Sequence, residues 1–450
     1  MKLLNYFRGE AFQRGVHPPS CKEATADRSI RRLPFAPRMV VPLSQHIGKT
    51  PKAVVRVGQE VVRGQLIARS DEWLSVPHHA PVTGLVEAIE LRPSARGPWV
   101  ESIVIRTHQG VTQEDLWGQS QDLSNATPQE LLQAIWDSGM VGLGGAAFPT
   151  HAKLTVPKQA KVHTLVVNGC ECEPYLTCDH RVMVEEADAL MDGIRYGMRV
   201  TGAVRAIIGV EDNKPDAVKA IQAAIDKIAA TDIYVEAVPT KYPQGSEKML
   251  IMALFGVEIP SGGLPVSLGM VVNNVGTLAA LGRLLPAGRG LTERVVTVTG
   301  PGVARPGDYR MPIGTPLKFV LDYAGAAVES RQVIMGGPMM GQSAASLDIP
   351  VTKGVSGILV LRGEDIAERE KRVVYPCIKC GECVESCPMG LNPSILGMLA
   401  SRREYEPMGS EYHLGDCFEC GCCTYVCPSN IQLAQLFRIA KQVLRERATA

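Results

Sequence analysis

The stretch Gly139-Met140-Val141-Gly142-Leu143-Gly144-Gly145-Ala146-Ala147-Phe148-Pro149-Thr150 decides how the rest of this chain is read. Its run of glycines and alanines lets backbone N–H groups come close to a phosphate or a planar ring. A glycine-rich loop alone is a weak signal, because many such loops are only turns. It is also not G-x-G-x-x-G after a strand, so the standard dinucleotide fingerprint is absent. Lys153, just downstream, is placed to neutralise a phosphate.

Working outward, Thr127-Pro128-Gln129-Glu130 opens a helix, with threonine as N-cap and proline at the first helical position. KVHTLVVNG and RAIIGVE are continuous apolar strands, whereas HRVMVEEADALMDGIRYGMR and KPDAVKAIQAAIDKIAA have helical periodicity. This alternation predicts an α/β domain over 128–285 with a largely parallel sheet. One strand ends in Asn168-Gly169-Cys170-Glu171-Cys172-Glu173-Pro174, bringing Glu171 and Glu173 to the edge where ligands of open α/β sheets bind. Further on, Tyr242-Pro243-Gln244-Gly245-Ser246-Glu247-Lys248 and the amides of Asn273 and Asn274 supply polar groups suited to a flavin or phosphate.

Upstream, residues 1–37 read as irregular, with a fixed turn at Gly15-Val16-His17-Pro18-Pro19, and 38–107 as short glycine-punctuated strands. VRVGQEVVRGQLIA and VPHHAPVTGLVEAIE resemble the halves of a lipoyl-type barrel-sandwich domain. The stretch between them, Ser70 to His79, has no lysine to carry a swinging arm, so a docking or scaffold role is expected, with His78-His79 a surface pair. Residues 108–127 read as a polar linker. Downstream, RVVTVTG, TPLKFVL and RQVIMGG are read as strands of a compact β-grasp domain over 292–362.

The tail, 363–450, repeats one spelling. Cys377, Cys380, Cys383 and Cys387 precede Pro388, and Cys417, Cys420, Cys423 and Cys427 precede Pro428. Each copy is C-x₂-C-x₂-C-x₃-C-P, the run that wraps a four-iron cluster while its last cysteine crosses to the other cluster. Cys377, Cys380, Cys383 and Cys427 are therefore assigned to one [4Fe–4S] cluster, and Cys417, Cys420, Cys423 and Cys387 to the other. Zinc sites rarely use this triple spacing. The domain is expected to be helical around the two loops, and the chain to move single electrons. Cys21, Cys170, Cys172, Cys178 and Cys422 are left without a ligand role.

The totals agree with this plan. A chain of 450 residues suggests about three domains. A net charge of +1 argues against nucleic acid as a partner. No signal peptide and no membrane span is expected, so membrane association would come through partner subunits.

GLGGAAFPTHAK resembles the GRGGAGFPTGLK loop of the NADH- and FMN-binding subunit of respiratory complex I. NGCECEP is similar to its NADESEP, YPQGSEK to its YICGEET and NNVGTL to its NNVETL, in the same order. With the lipoyl-like N-terminus and the two-cluster tail, the chain resembles the C subunits of Rnf complexes, membrane-bound ion-translocating NADH:ferredoxin oxidoreductases. The resemblance implies FMN contacts from Gly142, Gly144, Gly145, Lys153, Asn168, Tyr242, Asn273 and Asn274. It implies Glu171 and Glu173 near the NADH ribose and nicotinamide, and Phe148 available to stack on a ring. It makes the β-grasp segment a soluble-ligand-binding domain. It further implies membrane-integral and iron–sulfur partner subunits, ferredoxin or flavodoxin as indirect partners, and a peripheral place on the cytoplasmic face of the bacterial inner membrane. Three residues depart from the complex I pattern: Ala147 replaces a glycine, Cys170 an aspartate and Ser246 a glutamate. Two other roles stay open. One is a relay subunit with a vestigial flavin site, the other a diaphorase subunit of a soluble hydrogenase or formate dehydrogenase. The related subunit of the sodium-pumping quinone reductase lacks a ferredoxin tail.

Overall fold

The computed structural model describes residues 12–95, 97–326, 332–363 and 373–449. Residues 364–372, at the head of the expected ferredoxin-type domain, and 1–11 lie outside the described residues, as does Arg331, the first residue of RQVIMGG.

A four-stranded antiparallel sheet has the order 38–42, 99–107, 84–93, 60–61, and a three-stranded one the order 52–53, 66–69, 78–79. Alternating residues of both, such as Met39, Val41, Ile67, Val86, Ile103 and Ile105, close on one apolar core. The predicted His78-His79 surface pair is corrected: His78 is buried and His79 half-buried. The hairpin that carries them turns inward, and Trp73 at its tip packs edge-on against Trp136 and His151 of the next domain. That packing suits the scaffold role.

The α/β domain holds a four-stranded parallel sheet, ordered 233–238, 205–211, 164–169, 270–274. Its first helix, Pro128–Asp137, starts in a full capping box between Thr127 and Glu130. Gly193 and Gly282 let the helices Ala187–Thr201 and Val275–Leu284 cross in backbone contact. A Cβ on either would lie 1.8 Å from Leu278 O or 1.9 Å from Ala189 O.

The next domain is a mixed six-stranded sheet ordered 31–32, 307–312, 293–299, 357–361, 332–335, 342–343. Two expectations change here. Arg31–Arg32, read as irregular, is an edge strand of this sheet, parallel to Gly307–Pro312. TPLKFVL, read as a strand, forms the helix Leu317–Ala324. Leu317, Val320, Leu321 and Ala324 share one buried helical face, and Gly325 ends the helix in the left-handed region, φ +69°. In a seven-residue window the apolar run masks that period.

In the tail, the helices Pro393–Ser401 and Leu433–Thr449 pack around Leu396, Met408, Phe437 and Ala440. No described helix is long and apolar enough to cross a membrane.

Candidate functional site

The glycine loop leaves the first helix at Gly139 (φ +70°), where a Cβ would lie 2.4 Å from the Pro77 carbonyl. It folds back on itself. Gly142 N–H donates to Phe148 O (2.8 Å), Ala147 N–H to Gly142 O (3.2 Å) and Leu143 N–H to Thr277 Oγ1 (2.9 Å). The consecutive N–H groups of Gly144, Gly145 and Ala146 have no acceptor among the described residues, and all three residues are exposed. Gly145, φ +105°, has open space where a Cβ would project. Free N–H groups in series form a concavity that attracts anions. Ala147 adopts the left-handed region too, φ +51°, at a cost of about 1–2 kcal/mol for a residue with a Cβ. It is buried, and its methyl faces Gly354 in the β-grasp domain rather than the open side of the loop.

Strand register sets Asn273 beside Val167 and Asn274 beside Asn168, at the C-terminal edge of the sheet. Asn168 Nδ2 donates to Gly245 O (2.7 Å) and its Oδ1 accepts from Cys170 N–H (3.0 Å). Asn274 caps the helix Val275–Leu284 by accepting from Thr277 N–H (3.1 Å), and donates to Asp179 Oδ2 (2.6 Å). Asn273 Nδ2 and both side-chain polar atoms of Gln244 are buried without a partner among the described residues. An unmet buried amide costs about 1–3 kcal/mol, so a ligand that satisfies it is favoured. Open N–H groups and orphaned amides in this region fit a group with a phosphate and a polar ring edge.

Other expected site residues are already engaged. Lys153 pairs with Glu247. Glu171 accepts from Asp179 N–H (3.0 Å), His180 N–H (3.1 Å) and the Cys178 thiol (3.2 Å), at the start of the helix Cys178–Glu185. Glu173 accepts from Met339 N–H (3.0 Å) and Met340 N–H (2.8 Å), while burial raises its carboxyl to about 7. Burial, reinforced by Glu171, likewise raises Asp179 to about 7. Phe148 is half-buried beside the loop.

Tyr242 reaches toward the tail. Its ring is buried among Val16, Cys172, Met339 and Cys422, and its hydroxyl donates to Cys420 O (2.6 Å). The motif that ends at the flavin-type domain therefore begins on a cluster loop. The tail is held at a second point by Asp416, which accepts from Gly262 N–H (3.2 Å), Lys248 (3.4 Å) and Ser261.

None of the eight motif cysteines is tied up in a disulfide. Cys383 is raised by burial and then by Cys380, Cys427 and Cys377, the set expected to share a cluster. Cys417 is raised to about 11 by burial, with Cys420 and Cys387 adding to it. Cys387, Cys417, Cys420 and Cys423 line one cavity, walled by Pro388, Leu396 and Phe437. Among the described residues no three ligating side chains converge tightly enough to hold a single ion. Four thiols around a cavity suit a polynuclear cluster better, and the donor chemistry fits. Cys422, left aside in sequence, is fully buried and hydrogen-bonds Cys420, drawing that thiol down. Cys170 and Cys178 are buried thiols held protonated by their surroundings.

Matches to known families follow this layout. The chain matches the RnfC barrel sandwich hybrid domain at residues 10–110, the Nuo51 FMN-binding domain at 135–283, the SLBB domain at 295–343 and a 4Fe-4S dicluster domain at 376–431. It is 40% identical over 427 residues to the C subunit of the proton-translocating ferredoxin:NAD(+) oxidoreductase complex of Clostridium ljungdahlii, covering 92% of this chain and 88% of that one. It is 39% identical to the corresponding subunit of the Na(+)-translocating complex of Acetobacterium woodii, covering 88% of each. The chain belongs to the family of C subunits of ion-translocating, Rnf-type oxidoreductase complexes. The C subunit of Haemophilus influenzae strain 86-028NP is longer, and the match spans 64% of it. An NAD+-reducing [NiFe]-hydrogenase in the air-oxidized state shares the fold, with a TM-score of 0.51 and 22% identity over 69% of this chain and 60% of that one. As a family member the chain is a redox subunit with an FMN domain and a two-cluster domain, built for FMN and two [4Fe–4S] clusters.

Sequence reasoning passes over Gln244, Thr277 and Asp179. Gln244 and Thr277 lie inside motifs already singled out, but nothing local marks an amide that will be buried without a partner. Asp179 gains its place only when the helix Cys178–Glu185 docks beneath Asn274.

Proposed function

We propose that the chain is the electron-input subunit of its complex, taking electrons from NADH at the glycine loop and passing them through the tail to partner subunits. The observation that carries this is the Tyr242 hydroxyl on Cys420 O. One short segment, Tyr242–Ser246, spans from a cluster loop to Gly245, which Asn168 holds at the sheet edge. A bound flavin supplies the conversion between two-electron hydride and single-electron chemistry. The protein's share is positional. The N–H groups of Gly144, Gly145 and Ala146 would bind the flavin phosphate, with Gly142 shaping the turn. Asn273 and Asn168 would face its polar edge, Asn274 would brace the loop from the helix cap, and Phe148 would cover a ring. Lys153 would reach the phosphate on leaving Glu247. The eight cysteines would hold the clusters in the two crossed sets. Partner subunits would anchor the chain at the cytoplasmic face of the membrane.

Glu171 and Glu173 are engaged by backbone N–H groups, which favours a second reading: a relay subunit that accepts no hydride itself. An anaerobic NADH titration of the full chain, loaded with FMN and both clusters, separates the two. Flavin bleaching followed by reduced-cluster EPR signals is the outcome expected for electron input. Clusters reduced by dithionite but silent to NADH would establish the relay.

A further inference from the structure

Two buried cations from the β-grasp domain hold the inner side of the glycine loop. Lys353 Nζ donates to Gly139 O (2.7 Å) and to Pro77 O (2.9 Å) of the barrel-sandwich hairpin. Arg294 Nη2 donates to Leu143 O (2.9 Å), while its Nη1 donates to Lys353 O. Arg294 is 3% exposed and Lys353 1%. Lys353 has no carboxylate partner among the described residues, and burial alone draws its ammonium down to about 7. Burying a cation without a counter-charge is costly, so its hydrogen bonds must do much to hold it there.

What these bonds do follows from peptide geometry. A planar trans peptide points its C=O and N–H to opposite sides. With the Leu143 carbonyl tied inward by a charge-assisted bond, the Gly144 N–H of the same peptide is presented outward. It opens the run of Gly144, Gly145 and Ala146 N–H groups, none of which has an acceptor among the described residues.

We propose that Lys353 and Arg294 are positioning residues for the flavin, acting through the glycine loop and contributed by the neighbouring β-grasp domain. This rests on the reading of that loop as the flavin site. It also gives the β-grasp domain a task beyond linkage: if it shifts, the flavin cradle loses its shape.

The test uses the full chain with both clusters, stripped of flavin and titrated with FMN by fluorescence quenching. Lys353→Met and Arg294→Met should each weaken FMN binding by about tenfold or more, as expected when a charge-assisted bond is lost. Arg294→Lys, which can still reach one carbonyl, should recover most of the affinity. Val360→Ala, in the β-grasp core, is the control for simple destabilisation. It should lower Tm comparably and leave FMN affinity unchanged. If the Met variants do not fold, Lys353→Gln and Arg294→Gln carry the same comparison. Visible circular dichroism of saturated flavin should change with the cation variants and not with Val360→Ala. Unchanged affinity in the Met or Gln variants overturns the inference, as does equal weakening by Val360→Ala at matched Tm. A parent chain that binds no FMN overturns the flavin reading itself, and this inference with it.

Discussion

The two cysteine loops share one spelling and one backbone yet face different surroundings. Lys379 and Glu419, at matching positions, both take φ near +60°, and Gly381 and Gly421 follow at φ +87° and +82°. Short helices 382–385 and 422–425 then start in step. The motif therefore dictates the local chain path. Around that path the copies diverge. Cys377 and Cys380 are exposed, as are Val373, Val374, Tyr375 and Ile378 beside them. Cys423 is buried and Cys420 half-buried, with Tyr242 on one side and Met339 beside Gly421. Where Glu382 stands in the first loop, the second has the buried Cys422. One copy looks to solvent and the other into the protein, which gives a relay an inner and an outer end.

The crossed ligand sets provide the largest effect by which this contrast can be broken. Cys387→Ser and Cys427→Ser should each cost about half of the bound iron. Cys387 belongs to the first loop in sequence but to the inner cavity in space. Cys387→Ser should therefore abolish reduction of the remaining cluster by the flavin, while Cys427→Ser should leave the inner cluster reducible. Iron assay with EPR after NADH addition distinguishes the two. If Cys427→Ser is the variant that blocks flavin-to-cluster transfer, the inner and outer assignments are reversed.

How much of this is legible in the sequence follows the range of each signal. The cysteine spelling, the capping box at Thr127 and the strands ending at Asn168 and Asn274 are written within a few residues, and the fold carries them where the sequence puts them. The helix Leu317–Ala324 is hidden because its buried face repeats an apolar run that also suits a strand. Tyr242 sits in a motif that is flavin-like throughout. Its turn toward Cys420 depends on a domain more than a hundred residues away in sequence. Lys353 and Arg294 leave no trace, since a lone cation among apolar residues looks the same whether it will be exposed or buried. The orphaned atoms of Gln244 are legible only once the packing is known.

A smaller effect sharpens the contrast at the paired glycines. Gly381→Ala and Gly421→Ala both force a Cβ into the left-handed region, each at about 1–2 kcal/mol. At Gly381 the added methyl meets open space, whereas at Gly421 it would lie 3.0 Å from Met339 O. Crowding of that kind typically adds about 1–3 kcal/mol. Gly421→Ala should thus lower the thermal midpoint of the cluster absorbance further than Gly381→Ala. Equal shifts would mean that the second loop is not held against the β-grasp domain.

The smallest effect tests the Tyr242 bond itself. Tyr242→Phe keeps the ring among Val16, Cys172 and Cys422 and leaves the backbone bridge to Val16 intact (N–H to O of 2.9 and 3.0 Å). Only the donor to Cys420 O is removed, and a hydrogen bond of this kind contributes about 0.5–1.5 kcal/mol. Amide exchange in residues 417–427 should quicken accordingly, while residues 377–387 should not change. Tyr375→Phe, at an exposed ring beside the first loop, should alter neither. Were Tyr242→Phe to quicken exchange equally in both loops, the bond would be stabilising the tail as a whole. The second loop would then owe its inward face to Asp416 and Met339 rather than to the tyrosine.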